Sequence, residues 1–249
     1  MKNIFIYIVL LWSGFAFAQN EQLAQYYYDK GDFEKAKISY EELLKASPSN
    51  TQYFLRTVDC YQQLQQFDLA QKIIQERYNR YKQGVFLVEL GYNFQLQKNE
   101  AKAKDYYEQA IEKIKTSPND VYGIANSFEK KVLLEYALKS YQAAMQIQPN
   151  YNFNFQIGML YGQLGKTDQM IELLLTESYK NPQNANLIQT QLSRFMNGET
   201  DNTAFKDAMR KALILRTQKD QDVFWNHYLS WFYVQQKEFG KAFIQEKAI

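Results

Sequence analysis

The most informative segment of this sequence is residues 27–48, which read YYDKGDFEKAKISYEELLKASP. It begins with aromatic side chains, continues through a short polar turn at 30–32, and then places Ala36, Tyr40 and Leu43 at helical spacing. Apolar residues at this spacing form one stripe of an amphipathic helix, and a glycine between two such stretches favours a turn. The segment therefore predicts a helix–turn–helix unit.

Three features of this unit recur along the chain in one register, at intervals close to 34 residues. The aromatic series consists of Tyr27, Tyr61, Phe94, Phe128, Tyr161, Phe195 and Tyr233. The small-residue series, nine residues later, consists of Ala36, Ala70, Ala103, Ala137, Met170, Ala204 and Ala242. The inner series, three residues before each aromatic, consists of Ala24, Val58, Gly91, Ala125, Gly158, Leu192 and Ser230. Such a period predicts a repeat array, because one helix pair cannot bury its apolar stripe alone.

The small residues and the prolines support the same interpretation. Two antiparallel helices about 8–10 Å apart need small side chains where their backbones approach most closely. A proline cannot continue a helix interior, so it is expected just after a helix ends. All four prolines follow predicted second helices, at Pro48, Pro118, Pro149 and Pro182.

This pattern resembles the tetratricopeptide repeat (TPR) family. The segments that carry the resemblance are 27–48, 61–70 and 158–182. It implies an all-α fold, a right-handed TPR α-solenoid of about six to seven helix–turn–helix repeats. The predicted repeats lie near 19–50, 51–83, 84–117, 118–150, 151–184, 185–222 (irregular) and 223–249 (incomplete).

The later repeats depart from the family pattern. Met170 and Leu192 replace small residues, Glu246 stands where an aromatic is usual, and about four residues are inserted around 198–203. The sixth repeat is therefore expected to be the least regular. Because the seventh repeat is incomplete, we expect residue 249 not to be a natural domain boundary.

Residues 1–18 have the features of a signal peptide. Lys2 precedes an apolar run from Ile4 to Ala18 that ends in Ala16-Phe17-Ala18, a pattern typical of a signal-peptidase site. The run is shorter than the roughly 20 residues that a membrane-spanning helix needs. We expect cleavage after Ala18 and a periplasmic or cell-envelope location in a Gram-negative bacterium. The alternative is an uncleaved N-terminal anchor.

Composition excludes several classes of function. The 29 Lys and Arg residues nearly balance the 27 Asp and Glu residues, which argues against nucleic-acid binding and against strong membrane binding after signal cleavage. One Cys and one His cannot supply a disulfide framework, a Cys/His zinc site or repeated Cys–His pairs. No catalytic constellation is evident. We therefore expect no cofactor, no metal and no enzymatic activity.

Three isolated features receive structural interpretations. Gly165-Lys166-Thr167 resembles the end of a phosphate-binding loop, but Leu160 stands where that loop needs glycine, so a turn is favoured. His227 could be a general base, but no nucleophile or carboxylate has a suggestive spacing, which favours a surface or groove histidine. Cys60 is expected to be a semi-buried small hydrophobe rather than a reactive thiol.

The resemblance implies that the first helices of successive repeats line a concave groove. The groove residues expected to bind a ligand are Arg56, Asp59, Tyr92, Tyr122, Asn126, Phe155, Met159, Tyr228 and Trp231. Further lining residues would be Gln52, Leu55, Val88, Glu89, Gln95, Glu129, Gln156, Gln163, Phe224 and His227. Amides can pair with the backbone of an extended peptide and aromatics can pack its side chains. Alternatively, several of these residues merely fill the inner curve.

The sequence therefore favours a non-catalytic scaffold or adaptor that binds a protein or an extended peptide. Arg56 is the only cation among the groove candidates, which argues against a clamp for a C-terminal carboxylate. An alternative is the N-terminal module of a longer sensor or enzyme. A third is carbohydrate binding, with Trp225, Tyr228 and Trp231 as stacking residues.

Overall fold

A computed structural model describes residues 19–198, 202–220 and 222–248 of the chain. Over these ranges the regular structure is entirely helical, with no strand. The predicted all-α repeat fold is therefore confirmed. The predicted signal peptide, residues 1–18, lies outside the described residues.

The described residues form fourteen α-helices joined by short turns. They are α1 (19–29), α2 (Phe33–Ala46), α3 (Thr51–Gln63), α4 (Phe67–Tyr81), α5 (Val85–Leu96), α6 (Glu100–Thr116), α7 (Val121–Lys130), α8 (Leu134–Ile147), α9 (Asn154–Gln163), α10 (Thr167–Lys180), α11 (Ala185–Met196), α12 (Thr203–Asp220), α13 (Val223–Gln235) and α14 (Phe239–Lys247). Short 3₁₀ turns, Pro118–Asp120 and Pro182–Asn184, precede α7 and α11. Along the chain the helices follow one another as successive pairs, each an odd-numbered helix and the next even-numbered one.

The aromatic series marks the end of the first helix in each pair. In the first pair, the Asp32 amide donates to the Tyr27 carbonyl over 2.9 Å, and Gly31 between them has a φ of 74°. This six-to-one hydrogen bond around a left-handed residue is a Schellman cap, which satisfies carbonyls that the helix leaves free. Among the described residues it recurs in six pairs, with the left-handed residue at Gly31, Gln65, Lys98, Val132, Gly165 and Lys237.

The inner series packs inside the helix pairs. All seven of its members, from Ala24 to Ser230, are buried. The need for small residues is clear at Gly158, where an added Cβ would lie 2.5 Å from Leu174 Cδ2 on the facing helix. The small-residue series is also buried, with one exception.

The exception is Ala204, which is exposed, so its predicted place in the small-residue series is wrong. In the other second helices the series residue is the fourth of the helix, but α12 begins at Thr203 and makes Ala204 the second. The buried face of α12 is instead Phe205, Met209 and Leu213. The insertion before α12 therefore shifts the register of the sixth pair.

The chain divides into two compact units, 1–127 and 128–249, and the division falls within α7. A hydrophobic cluster in the first unit is built around Ala24, Tyr40 and Cys60. The second unit has a larger cluster that extends from α10 to α14 and includes Trp225 and Phe232. None of the described helices combines the length and the hydropathy needed to cross a membrane.

Candidate functional site

Two predicted groove residues, Arg56 and Asp59 of α3, lie beside Tyr28 of α1. The Arg56 guanidinium carbon is 4.2 Å from the centre of the Tyr28 ring, and Arg56 Nη1 is 3.9 Å from Asp59 Oδ2. The Tyr28 hydroxyl donates to Asp59 Oδ2 over 3.5 Å. The Arg56 and Asp59 side chains keep 31% and 25% of their surface exposed. These three residues, the Arg56 cluster, form a preassembled charged surface on two first helices.

The electrostatics of the Arg56 cluster keep the phenol neutral. Burial and the charge of Asp59 raise the pKa of Tyr28, while Arg56 acts in the opposite direction. The hydroxyl therefore remains a hydrogen-bond donor to Asp59 at neutral pH. Because the Tyr28 ring and the Asp59 carboxylate both contact the Arg56 guanidinium, Arg56 is held in place, and part of its side chain remains exposed to solvent.

The other predicted residues of the first unit differ in accessibility. Tyr122 is 59% exposed, Asn126 is exposed, and Tyr92 is half-buried. Val88 and Glu89, by contrast, are buried, so their expected groove-facing position is wrong. The residues Phe86–Gly91 of α5 are all buried, and the Glu89 carboxylate accepts a hydrogen bond of 2.8 Å from the Ser127 hydroxyl.

In the second unit, Phe155, Met159 and Trp231 are half-buried. Phe155 and Trp231 also pack against the core of that unit. Tyr228 is only 2% exposed, so its prediction as a ligand-facing residue is wrong. Its ring lies 5.3 Å from that of Trp231, and its hydroxyl is 3.2 Å from Ser178 Oγ. A hydrogen-bonded phenol among aromatic rings is a stable core residue.

Trp225 is also only 2% exposed. Its ring stacks on that of Tyr179, with the centres 5.2 Å apart and the planes at 22°. Neither Trp225 nor Tyr228 can therefore offer a free ring face to a sugar, and the suggested carbohydrate platform loses two of its three residues.

The structure adds a polar cluster that the sequence reasoning missed. Glu177 of α10 is 2% exposed. Its carboxylate accepts hydrogen bonds from four side-chain amides over 2.9 to 3.2 Å, those of Asn152, Asn154, Asn181 and Asn184. A buried carboxylate costs little when several donors replace its water. These four amides belong to the segments that enter and leave the fifth helix pair.

A signal for this cluster was present in the sequence. Glu177 is the eleventh residue of its helix, and the eleventh residues of α2, α6 and α8 are Leu43, Ala110 and Ala144, all buried. An acid in an apolar register position, between two asparagine-rich turns, indicates a compensated buried charge.

Comparison with known proteins identifies the repeat. Tetratricopeptide repeat family models match residues 20–50, 86–113 and 151–176, which contain all or most of the α1–α2, α5–α6 and α9–α10 pairs. These three segments of the chain are recognised as tetratricopeptide repeats. No curated protein sequence matches it.

Solved TPR structures align with this chain over most of its length. The C-terminal part of a TPR protein from Cytophaga hutchinsonii is 16% identical, with 92% of this chain and 93% of that chain covered and a TM-score of 0.34. A TPR protein from Parabacteroides merdae is 11% identical, with 93% and 91% covered and a TM-score of 0.36. The TPR2AB domain of yeast Sti1, solved in a complex with pHSP90, is 9% identical, with 94% and 97% covered and a TM-score of 0.35.

The structure also places three residues that the sequence singles out, Cys60, His227 and Gly165. Cys60 is fully buried, beyond the semi-buried position expected, and burial raises the pKa of its thiol to about 12, so it carries no thiolate at neutral pH. The His227 side chain is 58% exposed, and its Nδ1 lies 3.3 Å from the Glu246 carboxylate. Gly165 has a φ of 70° and forms the turn between α9 and α10, as predicted. Across the described ranges, no three His, Cys, Asp or Glu side chains gather into a metal-binding group.

Proposed function

We propose that this protein is a non-catalytic scaffold that binds a protein partner or an extended peptide through its first helices. The TPR fold is generally a non-catalytic interaction module. The observation that carries the proposal is the Arg56 cluster, which holds a guanidinium, a carboxylate and a phenol together on α1 and α3 with part of their surface exposed. Preformed contact groups bind with a smaller loss of side-chain entropy than flexible ones.

In the first unit, exposed residues of α7 extend the chemistry available to a partner. Asn126 carries an amide that can donate to and accept from a peptide backbone, and Tyr122 offers an exposed ring with a hydroxyl at its edge. In the second unit, Phe155, Met159 and Trp231 supply a more apolar set of contacts. Aromatic and methionine side chains are enriched where proteins bind one another.

The experiment is capture of partners from envelope extract with the tagged chain, in parallel with variants. Arg56→Ala and Tyr122→Ala should each reduce the retained partner by about tenfold, as expected for central contacts. Arg80→Ala is the matched control, because Arg80 also lies over a tyrosine ring, with 5.4 Å between its guanidinium carbon and the Tyr81 ring centre, but on the second helix α4. Equal retention by Arg56→Ala, Tyr122→Ala and Arg80→Ala would contradict the first-helix surface.

We further propose that the scaffold works in the periplasm or cell envelope. The support is the sequence of residues 1–18, with its apolar run and Ala16-Phe17-Ala18 ending. Fractionation followed by intact-mass analysis tests this: the expected product is periplasmic and begins at Gln19. A full-length product in the cytoplasm would refute the location and leave the scaffold proposal standing.

A further inference from the structure

A cleft of about 520 Å³ opens between α10 and α12 in the second unit. Both are second helices of their pairs, whereas the Arg56 cluster lies on first helices. Its floor is formed by Ile171 of α10 and by Ala208 and Ala212 of α12. The two alanines are four residues apart and therefore lie on one face of α12, where they offer only methyl groups. Their small size leaves room for another chain to approach both helices closely.

A cluster of polar and aromatic side chains lines part of the cleft. Arg216 Nη2 is 2.7 Å from Glu172 Oε1, and the guanidinium carbon is 5.2 Å from the centre of the Trp225 ring. The Arg216 side chain is 12% exposed, so this ion pair is partly desolvated on the arginine side. The Tyr179 ring stacks on Trp225, which also contacts Arg216. The Tyr179 hydroxyl donates a hydrogen bond to Asp222 over 2.8 Å. The charge of Arg216 is therefore neutralised within the protein.

The α12 edge of the cleft carries two lysines, and Asp220 lines it beyond Lys219. Lys211 and Lys219 are exposed and form no ion pair or hydrogen bond with any described residue. Between them lies Leu215, which is 55% exposed. Because these residues are four apart, they form one line along α12, with an apolar side chain flanked by two cations. The α10 edge contributes Asp168, near the opposite end from Trp225.

We propose that this cleft binds an amphipathic α-helix of a protein partner that carries acidic side chains along one edge. The apolar face of the helix would pack on Ala208, Ala212 and Leu215. Its carboxylates would meet Lys211 and Lys219, which lie about 12 Å apart along α12, two turns of a helix. Charge complementarity of this kind selects the partner and its orientation.

The test uses three synthetic helical peptides with one alanine and leucine face and with Glu, Gln or Lys at the edge positions. Binding to the mature chain is measured by fluorescence anisotropy. The Glu peptide should bind about tenfold more tightly than the Lys peptide, and the double variant Lys211→Glu/Lys219→Glu should reverse that order. Lys72→Glu, at an exposed lysine of the second helix α4, is the control and should leave the order unchanged.

A second variant tests the apolar floor. Ala212→Trp should fill the cleft and abolish binding of all three peptides. If the tryptophan disturbs folding, Leu215→Asp serves as the alternative variant and should weaken binding of the peptides. Circular dichroism monitors the helical content of both. The proposal is overturned if no peptide binds up to millimolar concentration, or if the order of affinities is the same in the double variant. Because the cleft and the Arg56 cluster are formed by different helices, this failure would leave the first-helix proposal intact.

Discussion

The Glu177 carboxylate accepts a hydrogen bond from the side-chain amide of Asn152, with Oε1 and Nδ2 2.9 Å apart. Asn152 precedes α9, while Glu177 lies near the end of α10. The same oxygen also accepts from Asn181 and Asn184, which follow α10. One buried carboxylate thus joins the segments at both ends of the fifth helix pair, a role that the apolar residues at this register in α2, α6 and α8 cannot have.

We expect Glu177→Ala to destabilise the fold. Removing the carboxylate takes the shared acceptor away from four amides that are half-buried or exposed, and losing a hydrogen bond to a charged group costs about 1.5–3 kcal/mol. A total loss of about 3 kcal/mol in the free energy of unfolding, measured by urea denaturation, is the expected result. Glu42→Ala is the control, because Glu42 is exposed on α2 and should change stability by less than about 0.5 kcal/mol. Equal effects of the two substitutions would argue against the amide cluster.

The register shift in α12 provides a matched pair of core substitutions. Ala137 is fully buried, so Ala137→Leu should overpack the interface between helices and cost about 1–3 kcal/mol. Ala204 holds the corresponding place in the sequence series but is exposed, and Ala204→Leu should change stability by less than about 0.5 kcal/mol. Thermal and urea unfolding would measure both. A larger loss from Ala204→Leu than from Ala137→Leu would show that the shift is incorrect.

The Schellman caps predict a stabilising substitution. Val132 is β-branched, 76% exposed, and held at a φ of 58°. A left-handed conformation costs a non-glycine residue about 1–2 kcal/mol. Glycine avoids this strain, but it loses more conformational entropy on folding, which offsets about 0.5–1 kcal/mol of the gain. Val132→Gly should therefore raise the free energy of unfolding by about 0.5–1 kcal/mol.

The reciprocal change tests the same cap. Gly165 has a φ of 70° in the corresponding position of the fifth pair, and an added Cβ would meet no atom within 4 Å. Gly165→Val should therefore destabilise through backbone strain alone, by about 1 kcal/mol. If Val132→Gly destabilised while Gly165→Val had no effect, the left-handed caps would not determine stability here.

Alkaline solution should destabilise the protein in two stages. Burial raises the pKa of Cys60 from 9.0 to about 12, and burial together with the hydrogen bond to Glu41 raises that of Tyr61 from 10.0 to about 12. Above these ordinary values the unfolded state releases protons that the folded state keeps. The free energy of unfolding should therefore fall from pH 9 toward pH 12, as the linkage relation requires.

Two variants separate the stages. Cys60→Ala should flatten the loss between pH 9 and pH 10, whereas Tyr61→Phe should change only the slope above pH 10. Urea denaturation across this range measures both slopes. Identical pH profiles for the wild type and both variants would mean that these groups titrate equally in the folded and unfolded states.

Most of the repeat register could be predicted from the sequence. The inner series is buried throughout, and all four prolines follow second helices, because a helix buries residues at a fixed period and a proline cannot lie in its interior. The aromatic series also coincides with a local feature, since the carbonyls of six of its seven members accept the cap hydrogen bonds that end their helices. Ala204 departs from the pattern because the insertion before α12 changes where that helix begins.

The sequence by itself thus determined the helix pairs and their turns, both of which follow from the pattern of side chains along the chain. Tertiary structure alone decided which first-helix residues reach solvent. Tyr228 and Glu89 have the same periodicity as exposed candidates, yet both are buried, where Ser178 lies within hydrogen-bond distance of the Tyr228 hydroxyl and Ser127 donates to one oxygen of Glu89. The α10–α12 cleft likewise depends on helices from two different pairs. The burial of a residue depends on which distant segments pack over it, and the pattern of a single helix does not reveal those segments.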